Sequence, residues 1–233
     1  MKKISLLLFL LLLGEIEAYG QTVKTISVEF IKTVREGNSK EVVKGSIYYQ
    51  APDKIILLIR EPIKQWMLLE GKLTTLYYPD ERRAIQITGW SSTSLPFFQA
   101  FLGGMKEDYG LSELGYKLEG NEIKGDTLVT HWNPPEKLKG RLGEITLAVA
   151  ANEIIYVESR DPGGQITAKV QYSNHIQYGA VYFPLQIVTT RYSRGDTTSE
   201  RVVYGEPLFD KPLPPEIRNF KIPSGVKIEG TKW

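Results

Sequence analysis

The chain has 233 residues, a formal net charge of +2 at pH 7 and no cysteine. A net charge this close to zero argues against a nucleic-acid partner and against strong electrostatic docking to anionic lipid. Without cysteine no disulfide can hold the fold, but a chain of this length can be stable as a single domain through core packing alone.

The first 20 residues have the pattern of a cleavable export signal. Lys2 and Lys3 form the charged start, residues 6–13 are apolar, and residues 18–20 are a small-x-small cleavage site. The apolar run is too short to span a bilayer as a stable anchor, and no cysteine follows it that could carry a lipid. We therefore predict a mature, exported domain of residues 21–233.

Apolar and polar residues alternate with a period of two along most of the remaining chain, which is typical of β-strands. Turn residues separate the alternating segments. The predicted strands are 26–30, 45–52, 54–60, 65–70, 73–79, 84–88, 127–132, 145–149, 154–159, 166–172, 185–192, 198–204 and 219–222. So many short strands predict one large sheet that must curl or close.

Two of these strands are apolar on both faces. Ile55, Leu57 and Ile59 point to one side of the sheet and Ile56 to the other, and strand 65–70 is apolar on both sides as well. Such strands need cover on both faces. Helices, a second sheet or a hydrophobic ligand could supply it.

Residues 94–116 interrupt the strand pattern and predict a short helical unit. Ser94 is a suitable N-cap with Pro96 in the first turn, and Gly103-Gly104 limits the length of the helix, after which residues 112–116 could form a second one. The i, i+3, i+4, i+7 spacing is met by Phe98, Phe101, Leu102 and Met105. This unit either fills one face of the sheet as core, or forms a movable lid over an apolar cavity with the glycines as hinges.

No group of residues in the sequence predicts catalysis or metal binding. His131 and His175 both fall inside predicted strands and lack the paired spacing of a zinc site. Glu107 and Asp108 are adjacent, so their side chains point apart. A Ser nucleophile would need a nearby base, and none is indicated. We therefore expect a binding protein without a cofactor and hold an enzyme of lipid or cell-wall chemistry as the weakest hypothesis.

The turn residues between 45 and 79 follow the pattern Gly45-x6-Pro52-x9-Pro62-x8-Gly71-x5-Tyr77-x-Pro79. This spacing resembles that of the periplasmic lipoprotein carriers of the LolA-like family. The helical unit, the Asp161-x-x-Gly164 turn and the segment 220–226 follow in the order found in that family. The resemblance is strong for residues 25–90 and looser beyond them.

The resemblance implies a mainly β fold: a strongly curved, incompletely closed antiparallel β-barrel with a short helical lid on its concave face. Members of the family shield the acyl chains of lipoproteins in the cavity between barrel and lid. The expected partners are acylated lipoproteins or lipids, an inner-membrane donor complex and an outer-membrane acceptor, and the carrier is expected to be a monomer. We predict that the cavity and lid are lined by Ile55, Leu57, Ile59, Trp66, Phe98, Phe101, Leu102 and Met105.

Three features depart from the family pattern. Ala51 stands where the carriers place an arginine that holds the lid. We also expect the family's N-terminal helix to be missing, because only residues 21–23 lie between the predicted export signal and the first strand. Residues 180–205 resemble an added hairpin found in broader lipoprotein-sorting relatives. Because the arginine is absent, a second hypothesis stays open: a periplasmic module on the same scaffold that senses lipid or lipoprotein and signals to a membrane partner.

Overall fold

The computed structural model describes residues 23–88, 96–193 and 195–232, and within these ranges it describes all side chains except those of residues 96–99 and 231–232. The predicted export signal and the predicted N-cap Ser94 therefore lie outside the described residues.

Fifteen strands form one curved sheet in the described part of the chain. The strands are β1 Thr25–Glu36, β2 Ser39–Gln50, β3 Lys54–Glu61, β4 Gln65–Glu70, β5 Leu73–Tyr78, β6 Arg83–Thr88, β7 Lys117–Lys124, β8 Thr127–Asn133, β9 Ile145–Ala150, β10 Glu153–Arg160, β11 Ile166–Tyr178, β12 Val181–Ser193, β13 Asp196–Tyr204, β14 Leu208–Phe209 and β15 Lys227–Lys232. Helix α1 is Pro96–Gly103, helix α2 is Pro215–Arg218, and a 3-10 turn is Glu136–Leu138.

The strands are ordered β15-β6-β5-β4-β3-β2-β1-β13-β12-β11-β10-β9-β8-β7, and β14 pairs with β1. Neighbouring strands are antiparallel except β15, which runs parallel to β6. Strands β7 and β15 are the two edges, so the sheet does not close on itself. The predicted open, mainly antiparallel barrel with a short helix is confirmed. The predicted hairpin of residues 180–205 is formed by β12 and β13, which lie between β11 and β1.

Two predicted elements were wrong. Residues 112–116 form turns and not a helix, because Gly110 and Gly115 adopt φ of +75° and +81°, in the left-handed region that interrupts a right-handed helix. Residues 219–222 do not form a strand, and the C-terminal strand β15 begins only after Gly225, at Lys227.

We call the face of the sheet on which α1 packs the inner face, and the opposite face the outer face. Val28 lies opposite Ile47 and Ile47 opposite Leu57, so these three side chains share the inner face. Ala100 and Phe101 of α1 join them in the larger of two buried clusters. Burying each large apolar side chain contributes about 1.5–3 kcal/mol. This cluster holds most of the buried apolar side chains in the described residues, so it is the main core.

The outer face of β3 and β4 is covered by residues 212–220, which we call the C-terminal strap. Leu213 and Ile217 of the strap are buried against Ile56. Phe220 stacks on Trp66 with ring centroids 4.0 Å apart and an interplanar angle of 9°. The sequence indicates no helix or strand at the proline-rich residues 212–216, yet the strap uses its few apolar residues to bury the outer face.

Candidate functional site

Helix α1 is held on the inner face by aromatic contacts and one buried hydrogen bond. The ring of Phe101 lies 5.7 Å from those of Phe183 and Tyr204. The Tyr172 hydroxyl donates a hydrogen bond of 3.0 Å to the carbonyl oxygen of Ala100. Burial raises the pKa of Tyr172 well above its ordinary value, so the phenol keeps the proton that it donates.

The glycines at the end of α1 are required by close packing. A Cβ on Gly103 would overlap the ring of Tyr109, and a Cβ on Gly104 would lie 2.8 Å from Cε1 of Tyr172. The Tyr109 and Tyr172 rings are themselves in edge contact at 6.3 Å. Both glycines thus let the helix end lie directly against tyrosine rings, which supports the core interpretation at this point of the helix.

The chain after α1 forms a turn fixed by its own polar groups. The Asp108 carboxylate accepts hydrogen bonds from the backbone N–H of Gly110 at 2.9 Å and of Ser112 at 3.1 Å. Burial opposes ionisation, but these hydrogen bonds hold the pKa of Asp108 below its ordinary value. Lys106 forms an ion pair of 2.5 Å with Glu113. The charges of Lys106, Asp108 and Glu113 are therefore satisfied locally.

An open groove of about 570 Å³ lies beside this turn. It is bounded by the end of α1 and the following residues, by strands β8 to β10, and by the β11–β12 hairpin. Its lining residues are Gly104, Met105, Lys106, Glu107, Leu128, Val149, Asn152, Ile154, Gln177, Ala180 and Tyr182. The volume lies within the range of about 300–1,000 Å³ that is typical of small-molecule pockets.

Four apolar side chains form a row across the sheet into this groove. Ile123 lies opposite Leu128, Leu128 opposite Val149, and Val149 opposite Ile154, so all four share one face. We call them the apolar row. The exposed fraction falls from 76% at Ile123 to 41% at Leu128 and 3% at Ile154. The row thus leads from the open edge strand β7 to the buried floor of the groove.

Six of the predicted site residues lie together in the inner-face cluster: Ile55, Leu57, Ile59, Phe101, Leu102 and Met105. Ile55, Leu57 and Phe101 are buried by other side chains and line no groove among the described pockets. Leu102 lines a small recess beside Tyr109, and Met105 lines the groove. Ile55, Leu57 and Ile59 therefore share one face of the sheet with α1, and the groove lies farther along the sheet, beside Met105. That these residues line a ligand cavity stays a prediction.

Two predicted site residues are not brought into this cluster. Trp66 lies on the outer face under the C-terminal strap, because it is directly opposite Leu58 and not opposite a member of the inner face. The side chain of Phe98 lies outside the described residues. The sequence missed the apolar row, because Ile123 lies outside the predicted strands and because only the strand register shows that the four residues are neighbours.

The two histidines each contact carboxylates. His131 Nδ1 lies 2.8 Å from a carboxylate oxygen of Glu144. His175 Nδ1 lies 3.1 Å from Glu153, and burial lowers the pKa of His175 although Glu153 acts in the opposite direction. Within the described residues no group of three or more His, Cys, Asp or Glu side chains could hold a metal ion.

Ala51 lies in the exposed turn between β2 and β3, where its backbone N–H donates a hydrogen bond of 2.8 Å to the carbonyl of Lys24. A methyl side chain offers no polar atom to a lid. Tyr172, on the distant strand β11, provides a polar side-chain contact between the sheet and α1.

Solved structures share this arrangement of an open curved sheet. A LolA superfamily protein from Nitrosomonas europaea matches with a TM-score of 0.57 and 15% identity, over 83% of this chain and 89% of that one. The chain has the LolA-like fold. A protein described as an outer membrane lipoprotein-sorting domain, from Vibrio parahaemolyticus, matches with a TM-score of 0.61 and 14% identity over 85% and 91%. A DUF1329 family protein from Desulfovibrio piger matches with a TM-score of 0.62 and 14% identity, over 89% of this chain and 93% of that one.

At the level of sequence, no family model matches the chain and no curated protein matches it. Among the described residues, no helix has the length and apolar character needed to cross a membrane.

Proposed function

We propose that the protein is a periplasmic carrier that binds the acyl chains of lipoproteins or other lipids in the groove and conveys them toward the outer membrane. The observation that carries the proposal is the apolar row, which becomes steadily more buried from Ile123 to Ile154. An acyl chain has no polar groups along its length, so a continuous apolar path from an open edge is the feature that it needs.

The energetics agree with this proposal. Removing methylene groups from water contributes about 0.8 kcal/mol for each one buried, so even a partly inserted long chain would bind without directional contacts. The polar lining residues Lys106, Glu107 and Asn152 lie in the turns beside the groove, where a lipid head or a lipoprotein N-terminus would emerge. The LolA-like fold, and the name of the Vibrio structure as a lipoprotein-sorting domain, support the same substrate class.

The test is a titration of the purified, delipidated protein with a fluorescent long-chain fatty acid. Leu128→Asp places a charge in the apolar row at a side chain that is 41% exposed, so the fold should survive. We expect its affinity for the probe to fall by about tenfold or more, because the acyl chain would have to desolvate a carboxylate. Ile123→Asp, at the outer end of the row, should weaken binding less.

The matched control is Ile228→Asp on the opposite edge strand β15, where the wild-type side chain is 52% exposed. It should bind the probe as the wild type does. A probe that does not bind the wild type, or that binds Leu128→Asp and Ile228→Asp equally, would contradict the proposal. Cell fractionation of the full-length chain tests export, since a cytoplasmic location would exclude a periplasmic carrier. If the protein instead co-purified from cells with a single membrane protein and without bound lipid, the sensing hypothesis would be favoured.

A further inference from the structure

A cluster of like charges lies on the outer face, away from the groove. Arg35 on β1 is directly opposite Lys40 on β2. Arg201 on β13 is opposite Thr33. Thr33 is two residues from Arg35 on β1 and therefore on the same face, so Arg201 is near Arg35. Like charges directly opposite each other on a sheet are destabilising. The Arg35–Lys40 pair is therefore an unfavourable arrangement in the absence of a bound anion.

These three cations line a recess of about 320 Å³ together with Thr33, Ser199 and Val188. No carboxylate is among the lining residues. Within the described part of the chain, no ion pair involves Arg35, Lys40 or Arg201. The recess thus combines three positive charges with two hydroxyl groups.

The acidic residues of the same strands are directed elsewhere. Glu41 and Glu200 are both opposite Val34, on the inner face, because side chains alternate along a strand. On the outer face, Glu29 is paired with Arg60 at 2.9 Å. Glu36 of β1 is opposite Ser39 and follows Arg35 directly, so it also lies on the inner face. The near-zero net charge of the whole chain therefore conceals a local basic site.

Arg201 is held in place by a neutral side chain, so its positive charge is not balanced by a carboxylate. Its Nε and Nη2 donate hydrogen bonds of 3.2 and 2.6 Å to Oε1 of Gln186, a neutral amide. A carboxylate in this position would neutralise the guanidinium, whereas glutamine only fixes its plane. A positioned arginine beside a second arginine and a lysine matches the tetrahedral oxygens of a phosphate group.

We propose that the Arg35–Lys40–Arg201 recess is a binding site for a phosphate group, carried either by a lipid headgroup or by a free phosphate compound. The bound anion accepts hydrogen bonds from the three side chains and relieves their repulsion. The site lies on the face opposite α1, so it can be filled whether or not the groove holds an acyl chain.

The first experiment follows thermal unfolding of the purified protein against inorganic phosphate at constant ionic strength. Phosphate should raise the Tm of the wild type, because a ligand that binds only the folded state stabilises it. Lys40→Gln should have an equal or higher Tm than the wild type without phosphate, since it removes a repulsion, and should bind phosphate about tenfold more weakly. Gln186→Ala should weaken phosphate binding several-fold by releasing Arg201.

The matched control is Lys64→Gln, which removes one exposed positive charge in the β3–β4 turn and should respond to phosphate as the wild type does. Sedimentation with phosphatidylcholine vesicles, with and without phosphatidylglycerol, separates the two sources. Binding to phosphatidylglycerol vesicles that Lys40→Gln abolishes assigns a headgroup. A response to inorganic phosphate alone assigns a free compound. The proposal is overturned if neither probe binds, or if Lys40→Gln and Lys64→Gln behave alike.

Discussion

The two faces of strands β3 and β4 are both apolar, yet they are covered in different ways. The outer face is closed by the C-terminal strap, whose Ile217 packs on Ile56 and whose Phe220 stacks on Trp66. The inner face is covered by α1 and by aromatic residues of distant strands, and this cover ends at the groove beside Met105.

The difference teaches that a strand apolar on both faces does not by itself indicate a ligand. On the outer face the chain supplies the whole cover from its own C-terminal segment. On the inner face the same need is met only in part, because the curved sheet is wider than the helix of eight residues that packs on it. The uncovered part, along β7 to β10, is the place where a bound molecule could complete the core.

Removing the anchor of the strap should have the largest effect. Ile217 is 2% exposed, so Ile217→Ala should lower the free energy of unfolding by about 3 kcal/mol, from lost burial and the cavity left behind. Urea unfolding measures this change. The folded fraction should still bind a fluorescent fatty acid normally, because the strap lies on the face opposite the groove.

Leu208→Ala is the control for this substitution, since Leu208 is exposed and its truncation should change stability by less than about 0.5 kcal/mol. If Ile217→Ala weakened fatty-acid binding in the folded fraction, the two faces would be coupled and the comparison between them would fail.

The next largest effect tests whether the end of α1 is packed core or a free hinge. In Gly104→Ala the added Cβ would meet the ring of Tyr172 and the ring of Pro184, so the helix end must shift. We expect a loss of about 1–3 kcal/mol in the free energy of unfolding. Gly140→Ala is the control, because a Cβ there meets nothing within 4 Å. A neutral or stabilising Gly104→Ala would restore the hinge interpretation.

The strand pattern, and the need to cover both faces of β3 and β4, could be predicted from the sequence. The segments that cover these faces could not. Alternation shows that Ile55 and Ile56 face opposite ways, and it cannot show which of them meets α1. The strap escaped prediction because Leu213 and Ile217 are isolated apolar residues in a proline-rich segment without periodicity. The apolar row escaped because it depends on the register of four strands, including an irregularity in the β9–β10 pairing after Ile154.

A smaller effect is expected from the buried hydrogen bond under α1. Tyr172→Phe keeps the ring but removes the donor to the Ala100 carbonyl, which still accepts a hydrogen bond from the backbone N–H of Gly104. The cost should be about 1 kcal/mol, and hydrogen exchange should become faster in residues 100–116 but not in β3. Tyr192→Phe, at a side chain that is 40% exposed, is the control. Unchanged exchange in residues 100–116 would show that aromatic packing alone holds the inner cover.

The smallest effect is a pH dependence that arises from His175 on β11 and not from the strap. The side chain of His175 is 2% exposed, and burial lowers its pKa despite the nearby Glu153. The folded chain therefore binds this proton less readily than the unfolded chain, whose histidine has a pKa of about 6.5. Unfolding takes up a proton below that pH, so the stability should fall as the pH is lowered from about 7.5 to 5.5.

His175→Gln should reduce this fall, because glutamine does not titrate in that range. Ile217→Ala should keep it unchanged, because the strap cluster of Ile56, Leu213 and Ile217 contains no histidine and loses the same burial energy at every pH. Urea unfolding of the three proteins at each pH makes the measurement. If His175→Gln showed the wild-type pH dependence, the burial of His175 would not limit its protonation, and the acid sensitivity would have to come from other groups.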